Sequence, residues 1–120
     1  MNSLAGVVIK GDGLGRRLGF PTANIRVSPL RKLEHGVFKV SVRGGGLGGR
    51  PGACNIGVRP TLKGAPRLQV EVHIPGFSGD LYGKRLTLIF IAKMRDERRF
   101  PSLAALKARI RRDIRSLGAY

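Results

Sequence analysis

The sequence predicts a mainly β protein, a closed antiparallel barrel with one α-helix at its C-terminal end. Three observations predict it. Short runs rich in Val, Ile and Leu recur between turn signals over most of the chain. One helical stripe appears, and only near the C-terminus. No helices alternate with the strands, which argues against a parallel, Rossmann-like sheet. The 18 glycines suit strands joined by tight turns.

Met1 to Lys10 reads as a first strand, carried by Val7, Val8 and Ile9. A glycine-rich loop follows over Gly11-Asp12-Gly13-Leu14-Gly15-Arg16-Arg17-Leu18-Gly19. Pro21 then stops any helix and keeps Phe20 to Ile25 extended. Residues 26–34 are turn-like. Gly36 to Arg43 is a strand, and Gly44 to Gly49 is too flexible to be more than a hairpin loop. Pro51 to Val58 is the next strand, closed by Arg59-Pro60-Thr61.

Leu68 to Ile74 alternates, with Leu68, Val70, Val72 and Ile74 on one face and Gln69, Glu71 and His73 on the other. Lys84 to Ala92 is apolar on both faces, as expected of a central strand. Ser102 is placed to cap a helix whose stripe is Leu103, Leu106, Ile110, Ile114 and Leu117. Arg109, Arg111, Arg112 and Arg115 fall on its opposite, solvent side.

A chain of 120 residues makes one domain, residues 1–120, with no internal repeat. Aromatic residues make up 6% and Trp is absent, so Val, Ile and Leu must build the core. The single cysteine, Cys54, excludes an internal disulfide and suits a reducing compartment. It is expected to be a small, inert core residue. No apolar run approaches the ~20 residues that span a bilayer. The apolar start of the chain is too short and wrongly flanked for a secretory signal. A cytoplasmic monomer without a membrane partner is expected.

The charge is the unusual property. Twenty-three Lys and Arg face 7 Asp and Glu, for a net +16. Such an excess attracts polyanions, or simply solvates a basic face.

The glycine loop could bring backbone N–H groups close to an oligophosphate, with Arg16 and Arg17 adding positive charge. It is neither a Walker loop nor a dinucleotide fingerprint, and alone it could be a plain turn. Thr22 and Asn24 lie two apart in an extended segment and project to one side. Two neutral oxygens can hold Mg²⁺ if phosphates and waters complete its shell. They could equally form local turn hydrogen bonds. Glu71 is one of only 7 carboxylates and sits mid-strand in an alternating run. If its face lines the barrel mouth it could accept a hydroxyl proton; otherwise it faces solvent. His73 shares that face and reads as a hydrogen-bonding neighbour, and His35 as a loop residue.

The run from Gly11 to Ile25, ending Phe20-Pro21-Thr22-Ala23-Asn24-Ile25, closely resembles the signature of riboflavin kinases. Asn55-Ile56-Gly57-Val58-Arg59-Pro60-Thr61 resembles that family's second motif. Glu71-Val72-His73 with Asp80-Leu81-Tyr82-Gly83 resembles its third, and Arg95-Asp96-Glu97 with Phe100, Ser102 and Leu103 its last. The resemblance covers nearly the whole chain in order.

It implies a six-stranded antiparallel, Greek-key-like barrel and transfer of the ATP γ-phosphate to the 5′-hydroxyl of riboflavin, giving FMN and ADP. It implies an ATP site at Gly11, Gly13, Gly15, Arg16, Gly19, Pro21, Thr22 and Asn24, with Thr22 and Asn24 also holding Mg²⁺. It implies Glu71 as catalytic base, and Arg95, Glu97 and Phe100 beside the flavin. Three departures stand out. Ile74-Pro75-Gly76-Phe77 lacks an acidic residue many relatives carry before the Phe. No H-x-G-H-like segment of an adenylyltransferase is present, so FAD synthesis is not expected. The basic excess is also unusual for the family. The alternative is a non-catalytic RNA-binding or ribosome-associated module built on this barrel, with nucleic acid bound through the basic surface.

Overall fold

The alternation of apolar and polar residues decides which side of each strand turns inward, and the sheet closes around that side. The computed structural model describes residues 2–11, 13–28, 31–59, 64 and 67–118, with only the backbone of Leu14 and Arg59. Asp12 and the Pro60-Thr61 end of the second motif lie outside the described residues. The elements in order are β1 (Ser3–Ile9), α1 (Leu14–Arg17), β2 (Ala23–Ile25), β3 (Gly36–Gly44), β4 (Leu47–Arg59), β5 (Arg67–His73), β6 (Arg85–Arg95) and α2 (Leu103–Ser116).

The six strands form a closed barrel in the order β1-β2-β5-β4-β3-β6, every pairing antiparallel. β3, β4 and β5 form a meander, and β6 returns beside β3, which is the Greek-key arrangement. The register of β3 shifts against β6 at Val37/Phe38 and at Lys39/Val40, and against β4 at Val42/Arg43. Such irregularities bend strands enough for a small sheet to close on itself.

Val40, Val42, Cys54, Leu86 and Leu88 are fully buried inside, with Leu4, Ile56, Val70 and Val72 almost so. Burial pushes the Cys54 thiol up to about 12, and the charge of Glu71 adds to the shift. A thiol so far above neutral pH is a core residue and not a nucleophile. Among the described residues no helix is long and apolar enough to cross a membrane.

Several local readings shift. β3 and β4 run into the six-residue glycine stretch, leaving Gly45 and Gly46 as a two-residue turn with φ of 59° and 87°. Two successive positive φ values make the tight hairpin turn that glycine permits. One helical turn, α1, lies within the loop expected to be free of helix. β6 is paired on both sides, as is every strand of the closed barrel, and its outer face is only partly covered, with Ile89 half-buried and Ile91 57% exposed.

Ser102 caps α2 as expected, its hydroxyl accepting from the Ala105 N–H at 3.1 Å. Leu117 is buried, whereas Leu103, counted in the same stripe, is 62% exposed. Arg111, Arg112 and Arg115 face solvent. Arg109 does not, because its side chain folds onto buried Asp113 one turn away.

Candidate active site

The loop between β1 and β2 closes by its own backbone. Gly13 O accepts from Arg17 N at 3.0 Å, and Gly15 O accepts from Leu18 N at 3.1 Å and Phe20 N at 2.7 Å. The chain thus turns back on itself and delivers Pro21 and Thr22 beside the loop they follow. Gly11 is required by close approach, since a Cβ there would overlap the Asn24 carboxamide. Gly11→Ala is therefore expected to push Asn24 aside while the barrel core stays intact. For the Mg·ATP site that the riboflavin kinase resemblance implies here, the KM for Mg·ATP should rise about tenfold with a smaller change for riboflavin, read by steady-state kinetics. An unchanged KM for Mg·ATP would show that the Gly11–Asn24 contact does not shape that implied site.

A polar row crosses the outside of the barrel wall. Val70 and Val72 point inward, so Gln69, Glu71 and His73 point outward. Glu71 pairs with Asn24 of β2 on one side and Asn55 of β4 on the other. It therefore lies half-buried on the outer face of the wall and not inside the barrel. Gln69 joins two of these groups, its Nε2 donating to Asn24 Oδ1 at 3.1 Å and to Glu71 Oε1 at 2.8 Å. Asn24 is 9% exposed. His73 Nδ1 donates to Pro21 O at 2.7 Å, and its ring meets Phe20 edge-on at 5.8 Å. His73 thus ties the loop end to β5, as a hydrogen-bonding neighbour should.

On the β2 side of this row opens a cleft of about 690 Å³. Gly11, Gly13, Arg16, Pro21, Thr22 and Asn24 line one wall. The Phe77–Tyr82 segment lines the other, with Leu81 buried beneath it. Asp80 Oδ1 accepts from Tyr82 N at 2.8 Å, and Gly83 N donates to Val8 O at 3.0 Å, fixing that wall to β1. Gly15 and Gly19 do not line the cleft.

Arg95, Glu97 and Phe100 lie outside the cleft. Glu97 reaches the outer face of the sheet, where its carboxylate sits against the α-carbon of Gly57. Gly57 pairs with Gln69, so Glu97 arrives two residue pairs along the ladder from Glu71, on the side opposite the cleft. Phe100 lies 5.7 Å from the Arg95 guanidinium and 5.1 Å from that of Arg98. Arg95 is itself occupied: Nε and Nη2 grip Asp113, with Nη2 to Oδ2 at 2.8 Å, and Nη1 donates to Asp96 O at 3.1 Å. Lys93 bridges Glu34 and Asp96 at 2.7 Å each, and its pKa is raised by Asp96 first and then Glu34.

Sequence reasoning passed over Gln69 and Asp113. Gln69 appeared only as a strand residue on the Glu71 face. Asp113 has no sequence signal as a site residue, because its Arg95 partner lies 18 residues away on another element.

A family profile described as riboflavin kinase matches residues 2–120. The bifunctional riboflavin kinase/FMN adenylyltransferase of Pseudomonas fluorescens is 48% identical over 111 residues, covering 92% of this chain and 35% of that protein. The chain thus spans about a third of the length of such bifunctional relatives. An RNA-binding riboflavin kinase of Bacillus subtilis is 39% identical, covering 95% of this chain and 49% of that protein.

Among solved structures, riboflavin kinase from Trypanosoma brucei superimposes with a TM-score of 0.68 and 28% identity, over 98% of this chain and 78% of that one. A structure described as a macrolide-efflux protein from Streptococcus pneumoniae superimposes with a TM-score of 0.85 and 25% identity, over 98% of this chain and 38% of that one. With a closed six-stranded barrel, a C-terminal helix and the family profile spanning residues 2–120, the chain belongs to the riboflavin kinase family.

Proposed function

We propose that this chain transfers the γ-phosphate of ATP to the 5′-hydroxyl of riboflavin, producing FMN and ADP. One observation carries the reading beyond family membership. Asn24 and Glu71 face each other across β2 and β5, joined by Gln69, with the cleft on one side and Glu97 on the other. That order suits a nucleotide in the cleft, an acceptor hydroxyl near Glu71 and a flavin towards Glu97.

Loop amides around Gly11 and Gly13, with the Arg16 cation, would cradle the phosphates. Thr22 and Asn24 offer two neutral oxygens, the hard donors Mg²⁺ prefers. Among the described residues no group of three or more His, Cys, Asp or Glu could hold a metal. Such a partial donor set suits Mg²⁺ arriving with the nucleotide, its remaining positions filled by phosphate and water. When bound, Mg²⁺ would supply charge neutralisation to the phosphates. Glu71 orients the ribityl hydroxyl and takes its proton as oxygen bonds to the γ-phosphorus and ADP departs. Glu97 and Phe100 border the flavin, and Arg95 serves by holding their segment.

Mixing the protein with riboflavin and Mg·ATP and separating the products by chromatography tests this. FMN and ADP should appear in equal amounts. Absence of FMN would remove the proposal.

The basic surface supports a second property. Arg111, Arg112 and Arg115 face solvent on α2, whose one carboxylate, Asp113, is buried. Replacing these three by Gln should leave FMN turnover within about twofold, since exposed charges add little to stability. Any RNA binding should weaken, and its log–log salt slope should flatten by about 2. Loss of turnover in a folded variant would place α2's outer face in the active site. Tight RNA binding by the unaltered protein at physiological salt, without FMN formation, would favour a non-catalytic module.

A further inference from the structure

We propose that Asp113 is a positioning residue for the flavin side of the site, acting through Arg95. Asp113 is 5% exposed, and two guanidiniums converge on it. Arg95 makes a two-nitrogen fork, Nε at 3.0 Å from Oδ1 and 3.1 Å from Oδ2, and Nη2 at 2.8 Å from Oδ2. Arg109 Nε lies 3.3 Å from Oδ1 and makes no hydrogen bond, so its contribution is charge alone.

Arg95 is the last residue of β6, where the chain leaves the barrel. Its third nitrogen, Nη1, donates to Asp96 O at 3.1 Å, and its guanidinium lies 5.7 Å from the Phe100 ring. One side chain therefore touches both ends of residues 96–100, and Asp113 fixes that side chain's orientation. The same segment carries Glu97 to Gly57, two residue pairs along the ladder from Glu71 and on the same face. Another anchor of the segment, Lys93 to Asp96, involves an Asp96 side chain that is 87% exposed, and exposed pairs hold geometry weakly. The buried fork is thus what sets the path of residues 96–100. The functional half of this inference rests on the proposed riboflavin site.

The test pairs amide hydrogen exchange over residues 96–100 of the ligand-free protein with separate KM values for riboflavin and Mg·ATP. Asp113→Asn leaves two cations facing each other and could unfold. The double change Arg95→Met with Asp113→Leu, made in an Arg109→Met background, replaces the buried charge cluster by apolar groups, which cores tolerate better than a broken pair. Arg109→Met, which keeps the fork, is the control.

In the double variant, exchange over residues 96–100 should accelerate and the riboflavin KM should rise, each by about tenfold, with the Mg·ATP KM within about twofold. Arg109→Met should move neither. A folded double variant whose segment exchanges no faster would overturn the proposal. So would faster exchange with an unchanged riboflavin KM, because the segment would then not serve the flavin. Failure of the unaltered protein to make FMN sinks the kinase reading instead, and the exchange result still decides whether Asp113 orders the segment.

Discussion

Asn24→Ala is expected to lower kcat/KM for Mg·ATP by about 10²- to 10³-fold, the range typical of removing one oriented group from a site built on electrostatic stabilisation. Two contacts meet at this side chain, the Gly11 α-carbon and the Gln69 amide, and its oxygen would also serve the proposed metal. Alanine removes both contacts and that oxygen. The cost to stability should be modest, about 1 kcal/mol, because the Gln69 amide still donates to Glu71. The variant should stay folded with nearly the same melting profile. Thr22→Ala should act in the same direction. Steady-state rates across a Mg²⁺ titration provide the check, and near-normal turnover at limiting Mg²⁺ would contradict the assignment.

Glu71→Gln is expected to reduce kcat by about 10²-fold while both substrates bind within about twofold of normal. The substitution keeps the shape, and the new carboxamide oxygen can still accept from Gln69. What disappears is the proposed proton acceptor. The loss should be smaller than for Asn24, since phosphoryl transfer depends more on positioning and charge neutralisation than on the base. Single-turnover measurements with both substrates saturating isolate the chemical step. An unaltered single-turnover rate would assign proton removal to another group or to water.

Much of the barrel is legible in the sequence because one side of each strand is buried. Leu68 to Ile74 shows this directly: period-two alternation separates Val70 and Val72 from Glu71, and the structure keeps that separation. The pattern could not tell whether the Glu71 face lay in a barrel mouth or on an outer wall. That depends on the β2–β5 register, which joins residues 45 apart in the chain, as in the Gln69–Asn24 bond.

α2 shows the same limit. Period 3.6 identifies which residues share a face, but not how far along the helix that face is covered, so Leu103 emerges exposed. Arg109 and Asp113 look like surface charges in sequence. Arg95, 18 residues before Asp113 and on a different element, is what makes that carboxylate a buried partner. The glycine loop behaves in the opposite way. Its shape follows from local chemistry, with Gly13 and Gly19 at φ of 75° and 90° and one short helical turn between them.

The most direct measurement follows the phosphoryl group itself. The protein is incubated with riboflavin, Mg²⁺ and ATP carrying heavy oxygen in its γ-phosphoryl group, and the flavin product is weighed by mass spectrometry. Direct transfer within the site predicts FMN that carries the intact labelled phosphoryl group, with ADP formed in step. Labelled inorganic phosphate accompanied by unmodified riboflavin would contradict it, reducing the cleft to a nucleotide-hydrolysing or nucleotide-binding site.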